Sequence, residues 1–119
     1  MPGPAISRLK KRPDFLKARD ANRKFVTPGF IMQVREHGPD EIVDPIRIGF
    51  TVTKKVGNSV VRNRVRRRLR AAVAEILPGK ILEKHDLVLI GRVQALVYPY
   101  ENLCKDLLWA VRRMKIAPP

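Results

Sequence analysis

Between Gly57 and the Pro78-Gly79 pair the chain has room for one long helix, and the pattern inside it limits what can be built around it. Ser59 is placed to cap the start, and Pro78 with Gly79 stops the helix near Leu77. Val61, Val65, Leu69, Ala72, Val73 and Ile76 recur at helical spacing and share one arc, while Arg62, Asn63, Arg64, Arg66, Arg67, Arg68 and Arg70 cover the rest. One arc has to pack against the body of the protein. The other has to meet solvent or a partner.

Charge says which. From Lys54 to Ala74 there are eight Lys or Arg and no Asp or Glu, although both signs mix elsewhere. Like charges three or four apart on a helix repel by a few tenths of a kcal/mol per pair, so the run calls for a polyanion. The net charge of +14 leaves nucleic acid or an anionic membrane surface as partners. Four of the eleven acids, Glu36, Asp40, Glu41 and Asp44, crowd into one expected loop, which makes the remaining surface still more basic. No apolar run reaches the roughly 18 residues a membrane helix needs, and the N-terminus lacks a signal-peptide core. The expectation is a cytoplasmic protein without a membrane partner. The single cysteine, Cys104, fits a reducing compartment.

The other segments read as an α+β domain over 1–119. Residues 1–12 begin with Pro and Gly and end in Arg8, Lys10, Lys11 and Arg12, which predicts a mobile basic arm. Pro13 and Asp14 suit the first turn of a short helix through about Ala21. Lys24 to Thr27 and Phe30 to Arg35 read as extended, with Phe30, Met32 and Val34 on one face. Gly38 to Pro45 has turn chemistry. From Ile46 to Lys54, Ile46, Ile48, Phe50 and Val52 alternate with Arg47, Gly49, Thr51 and Thr53, the period of a half-buried strand. Asp86 to Arg92 reads as a buried strand. Pro99 opens a last helix with Leu103, Cys104, Leu107, Leu108, Val111 and Met114 on its apolar face. Trp109, at the margin of that face, and Tyr100 read as structural; Tyr98 reads as exposable. The sum is a two-layer sandwich of about four strands and three helices, in the order αβββαβα.

No catalytic constellation is visible. Asp14, Asp20 and Asp86 are scattered, and His37 and His85 have no partner at metal-ligand spacing, so neither catalytic residues nor a protein metal site are expected. Arginine suits phosphate because its planar fork donates two parallel hydrogen bonds and keeps its charge. The Lys54, Lys55, Gly57 and Asn58 turn adds backbone N–H groups near a helix start, where anions are favoured. An RNA-binding cofactor, a ribosomal or chaperone protein, and a DNA-binding regulator all share this surface. The regulator is weakest, since neither a zipper nor a helix-turn-helix pattern is present.

The run KKVGNSVVRNRVRRRLR resembles the motif of the bacterial ribonuclease P protein component, a Lys-Lys-x-Gly-Asn turn leading into an Arg-Asn-Arg helix. The likeness extends to RLKKRPDFLKA, to IGFTVTKK and to the late strand and helix, from Arg8 to Met114. It implies a small protein subunit that, with a catalytic RNA, removes the 5′ leader from precursor tRNA, one protein per RNA, with Mg²⁺ bound mainly by the RNA. It implies that Lys54, Lys55, Asn58, Arg62, Asn63, Arg64, Arg66, Arg67 and Arg70 meet the catalytic RNA. A cleft for the leader would involve Arg8, Lys10, Lys11, Phe15, Arg19, Phe30 and Gln33, with Phe15 and Phe30 as base-stacking rings. Arg19 and Gln33 stand where relatives carry aromatics, which shifts the cleft toward charge and hydrogen bonding. The family fold also implies a left-handed crossover through the Arg-rich helix, against the general right-handed preference.

Overall fold

Short alternating runs separated by turn residues pair into one sheet, and the three helical segments pack on it. The structure, a computed structural model, describes residues 5–119. Its elements are β1 (Ile6–Arg8), α1 (Arg12–Asp20), β2 (Lys24–Val26), β3 (Phe30–Glu36), β4 (Ile46–Thr51), α2 (Ser59–Ile76), β5 (His85–Gly91) and α3 (Tyr100–Arg113), with short 3-10 turns at Lys54–Val56 and Val93–Leu96. The sheet runs β1-β4-β5-β3-β2, with β1, β4 and β5 parallel and the β5-β3 and β3-β2 pairs antiparallel. Because β4 and β5 are parallel neighbours, a crossover must join them, and α2 is that crossover.

Alternation sorts side chains between the two faces. Phe30, Met32 and Val34 of β3, Ile46 and Ile48 of β4, and Leu87 and Leu89 of β5 share a core with Val65, Leu69, Ala72 and Val73 of α2 and Leu103, Leu107 and Val111 of α3. Each Val, Leu, Ile, Met or Phe side chain among these, once buried, contributes about 1.5–3 kcal/mol. Among the described residues the opposite face is covered by α1 and the residue Leu9 ahead of it: Ala18 packs with Leu9 and Val88, and Phe15 and Ile90 border them.

The α+β class stands, with one strand more than the sequence suggested, and the two-layer expectation is corrected to three layers, because α1 packs on the face of the sheet opposite α2 and α3. The extra strand corrects the mobile arm from Ile6 onward, residues 1–4 lying outside the described residues. Ile6, Ser7 and Arg8 pair in register with Ile46, Arg47 and Ile48, and the Leu9 N–H donates to the Ile48 carbonyl at 3.0 Å. Three residues carry too little alternation to announce a strand; the exposed edge of β4 recruits them. The helix cap is also corrected. Asn58, not Ser59, caps α2, its side-chain oxygen accepting from the Val61 N–H at 3.0 Å. Gly57 makes that approach possible, since a Cβ there would lie 2.9 Å from Cγ1 of Val61. Among the described residues no helix is long and apolar enough to cross a membrane.

Candidate nucleic-acid interface

The packed arc of α2 is as the periodicity required: Val65, Leu69, Ala72 and Val73 are buried and Val61 and Ile76 are half-buried. This fixes the other arc. Arg64 and Arg67 are exposed and make no hydrogen bond or ion pair within the described residues. Arg62 donates to the Ser59 hydroxyl at 3.3 Å, and Arg66 to the side-chain oxygen of Asn63 at 2.8 Å, which holds both guanidinium groups in place. Arg66, Arg67, Arg70, Asn63 and Val60 line an open groove of about 570 Å³ along the helix. Lys54 and Lys55 lie exposed in the 3-10 turn that leads into α2. Asn58 commits its oxygen to the cap and keeps only its amide N–H groups for a partner. Arg68 differs from its neighbours: it donates to the Tyr98 carbonyl and ties α2 to the loop before α3.

Arg70 sits on the sheet side of the helix with its guanidinium carbon 5.6 Å from the centroid of the Phe50 ring, a cation–π distance. Burial and the nearby charges of Arg8 and Arg66 hold its pKa below the ordinary arginine value.

On the other face, α1 and the sheet enclose a second cleft of about 570 Å³, lined by Lys10, Arg12, Phe15, Leu16, Arg19, Gln33, Phe50, Thr51, Thr53, Val88 and Ile90. Of the residues proposed from the sequence, Lys10, Phe15, Arg19 and Gln33 meet here. Arg8 borders an adjoining pocket, and Lys11 is the exposed residue capping α1. Phe30 does not belong. It is 0% exposed in the core beneath α2 and α3, so the assignment of its ring to leader stacking is corrected. Thr51 and Thr53 were missed; they are the polar members of the alternating run that identified β4, and face the cleft for that reason.

The cleft floor is close to α1 because Gly49 carries no side chain. A Cβ there would stand 2.6 Å from Cζ of Phe15 and 3.1 Å from Cβ of Leu9. Gly49→Ala therefore displaces Phe15 and is expected to cost about 1–3 kcal/mol by overpacking. A urea-unfolding midpoint equal to that of the unchanged protein would refute the close contact.

Beneath the N-terminal end of α1 lies a buried ion network. Asp86, fully buried on β5, accepts from Nε and Nη2 of Arg47, both at 2.8 Å, and from Nη2 of Arg35 at 3.1 Å; Nε2 of His37 lies 2.7 Å from it. Burial alone would raise the Asp86 carboxyl, but hydrogen bonds from Arg47 and His37 and their charges outweigh it and hold it below the usual carboxylate range. Arg35 also grips Glu41 through a two-bond fork at 2.6 and 2.8 Å. That hydrogen bonding, with the Gly38 N–H, brings Glu41 down to about 2. Arg47 reaches on to Asp14 of α1 at 3.4 Å. The network thus pins the helix that carries Phe15.

Cys104 is buried, its thiol 3.7 Å from a Glu75 carboxylate oxygen, and burial pushes that thiol up. Trp109 is not structural as expected: it is 55% exposed, with Arg113 at 5.9 Å from its ring. Tyr98 is half-buried and donates to Asp106 at 2.9 Å. Among the described residues no three His, Cys, Asp or Glu gather as a metal site.

The chain is similar to known proteins in sequence and in fold. The sequence model of the family described as Ribonuclease P matches residues 4–115. The ribonuclease P protein component of Paramagnetospirillum magneticum is 50% identical over 110 residues, 92% of this chain and 83% of that protein. Its counterpart from Gluconacetobacter diazotrophicus is 50% identical over 106 residues, 89% of each. The solved RNase P protein from Thermotoga maritima superposes with a TM-score of 0.72 at 25% identity, covering 90% of this chain and 96% of that one. A packed arginine helix, a cleft on the opposite face and a family match over nearly the whole sequence agree, and the chain belongs to the ribonuclease P protein family.

Proposed function

We propose that α2 and the turn before it grip the catalytic RNA of ribonuclease P, while the cleft under α1 receives the single-stranded 5′ leader of precursor tRNA. The role of protein subunit in tRNA 5′ maturation comes with the family; the division between two surfaces follows the family resemblance, and the groove along α2 and the cleft under α1 are the features that support it. The observation that carries it is the acid-free arc of α2, whose arginines are anchored by a buried opposite arc and pair with no carboxylate among the described residues. Cations carried on a packed helix are pre-positioned at the backbone for a phosphate chain, which spares the ordering cost that a flexible tail would carry.

Bond cleavage falls to the RNA in this reading. The carboxylates do not suit a magnesium site: Asp86 is already held by Arg35, Arg47 and His37, and Glu41 by Arg35. Mg²⁺ is then held mainly by RNA phosphates, and the protein lowers the amount required by screening phosphate repulsion. A cytoplasmic complex of one protein per RNA is the assembly this implies.

Mixing the purified chain with a bacterial ribonuclease P RNA should raise cleavage of precursor tRNA at low magnesium, with no cleavage by the protein alone. Cleavage without RNA, or no stimulation with it, refutes the proposal.

A further inference from the structure

The two RNA-facing surfaces run into each other at the edge of the sheet. β1 stops at Arg8, opposite Ile48, so where Phe50 follows β4 is paired with β5 on one side and, among the described residues, has no strand on the other. Phe50 is half-buried there, its ring packed in part on the core. Between it and Phe15 opens a pocket of about 270 Å³, bordered by Arg8, Lys10 and Arg70 as well as Leu9. Phe15, Phe50 and Lys10 also line the leader cleft, and Arg70 also lines the groove along α2, so the pocket joins the two.

Its chemistry is specific. No acid among the described residues borders it, three cations converge on it, and the rings of Phe15 and Phe50 flank it with the Arg70 guanidinium 5.6 Å from the Phe50 centroid. Its volume lies below the roughly 300–1,000 Å³ of pockets for drug-sized ligands, which suits one planar group. Unpaired RNA bases stack on aromatic rings and on arginine planes, and flanking cations meet the adjoining phosphates.

We propose that Phe50 and Arg70 form a stacking position for one nucleobase of the leader, where the strand passes between the arginine surface and the cleft. This rests on the leader reading above. Phe50 is set by the odd–even rule of β4 to face the core, and it reaches the pocket only because β1 ends before covering it.

The test uses the full chain assembled with ribonuclease P RNA, and substrates with a full leader, with no leader, and with a single abasic site stepped along the leader. Phe50→Leu keeps apolar packing and removes the ring; Phe50→Tyr keeps the ring. Phe50→Leu is expected to weaken full-leader binding about fivefold or more and to leave leaderless binding unchanged, with Phe50→Tyr near the unchanged protein. One abasic position should weaken binding to the unchanged protein and cost nothing further in Phe50→Leu. Equal losses with and without a leader, which would mark a contact to the catalytic RNA or a folding defect, overturn the proposal. So does an unaltered full-leader affinity, or an abasic penalty that is the same in both proteins. Phe15→Ala separates the two levels: a leader-dependent loss there with none in Phe50→Leu removes only this stacking position. No leader-dependent loss in either variant removes the leader cleft as well.

Discussion

Asp86→Asn should lower the stability of the folded chain by about 3–5 kcal/mol, the cost of breaking a buried ion network by removing one partner. The substitution keeps the shape of the side chain but leaves Arg35 and Arg47, each with a side chain only 13% exposed, facing one another around a neutral amide. In a domain of this size that corresponds to a fall of about 10 °C or more in the thermal midpoint. Circular dichroism during heating measures it, and a shift worth less than about 1 kcal/mol would show that the arginines relax into solvent. The same network sets the acid limit. Asp86 and Glu41 both have depressed folded-state values, so their contribution is complete above the unfolded carboxylate range and is lost as pH falls through the folded values. For Glu41 that window runs from 4.5 down to about 2. Stability should therefore hold from neutrality to about pH 4.5 and decline below it, and Asp86→Asn should flatten part of that decline.

The double change Arg64→Ala and Arg67→Ala should weaken binding to ribonuclease P RNA about 100-fold at low salt, at roughly tenfold per charge-assisted phosphate contact. These two are the cleanest probes on α2 because neither bonds to the rest of the described chain, and alanine is at least as good a helix former as arginine. Unfolding should be unaffected. The slope of log affinity against log salt should fall by about 1.4–1.8, since each lost contact releases fewer counterions. An affinity loss that persists at every salt concentration, with an unchanged slope, would mean that the arginines act through shape and not through phosphate charge. Arg68→Ala is the informative contrast, because its bond to the Tyr98 carbonyl makes it a tie within the fold.

How far the sequence carried depended on how many residues each inference rested on. The two arcs of α2 were legible because eighteen residues repeat one period, and all six apolar positions of the arc are buried or half-buried. β1 was not, because its three residues gain their conformation from β4 and not from their own pattern. Phe30 is a different lesson. It lies three residues from Gln33 on one strand, so the two point to opposite faces, and on that inner strand the Phe30 side is sealed beneath α2 and α3. Family position had placed it against that rule, and the rule held. The Asp86 network was hidden for another reason: Arg35 with His37, Arg47 and Asp86 come from three places in the sequence and meet only because β3, β5 and β4 lie side by side in register.

Six residues of β4 serve two masters. Its even positions, Ile46, Ile48 and Phe50, are answerable to the core under α2, whereas Arg47, Gly49 and Thr51 are answerable to α1 and the cleft. Arg47 and Gly49 are fixed by the ion network and by Phe15, which leaves Thr51, with Thr53 just beyond, as floor positions free of either duty. Exchange of a residue at either site therefore alters the chemistry of the cleft floor without touching the ion network, the close packing of Phe15 on Gly49 or the arginine arc of α2.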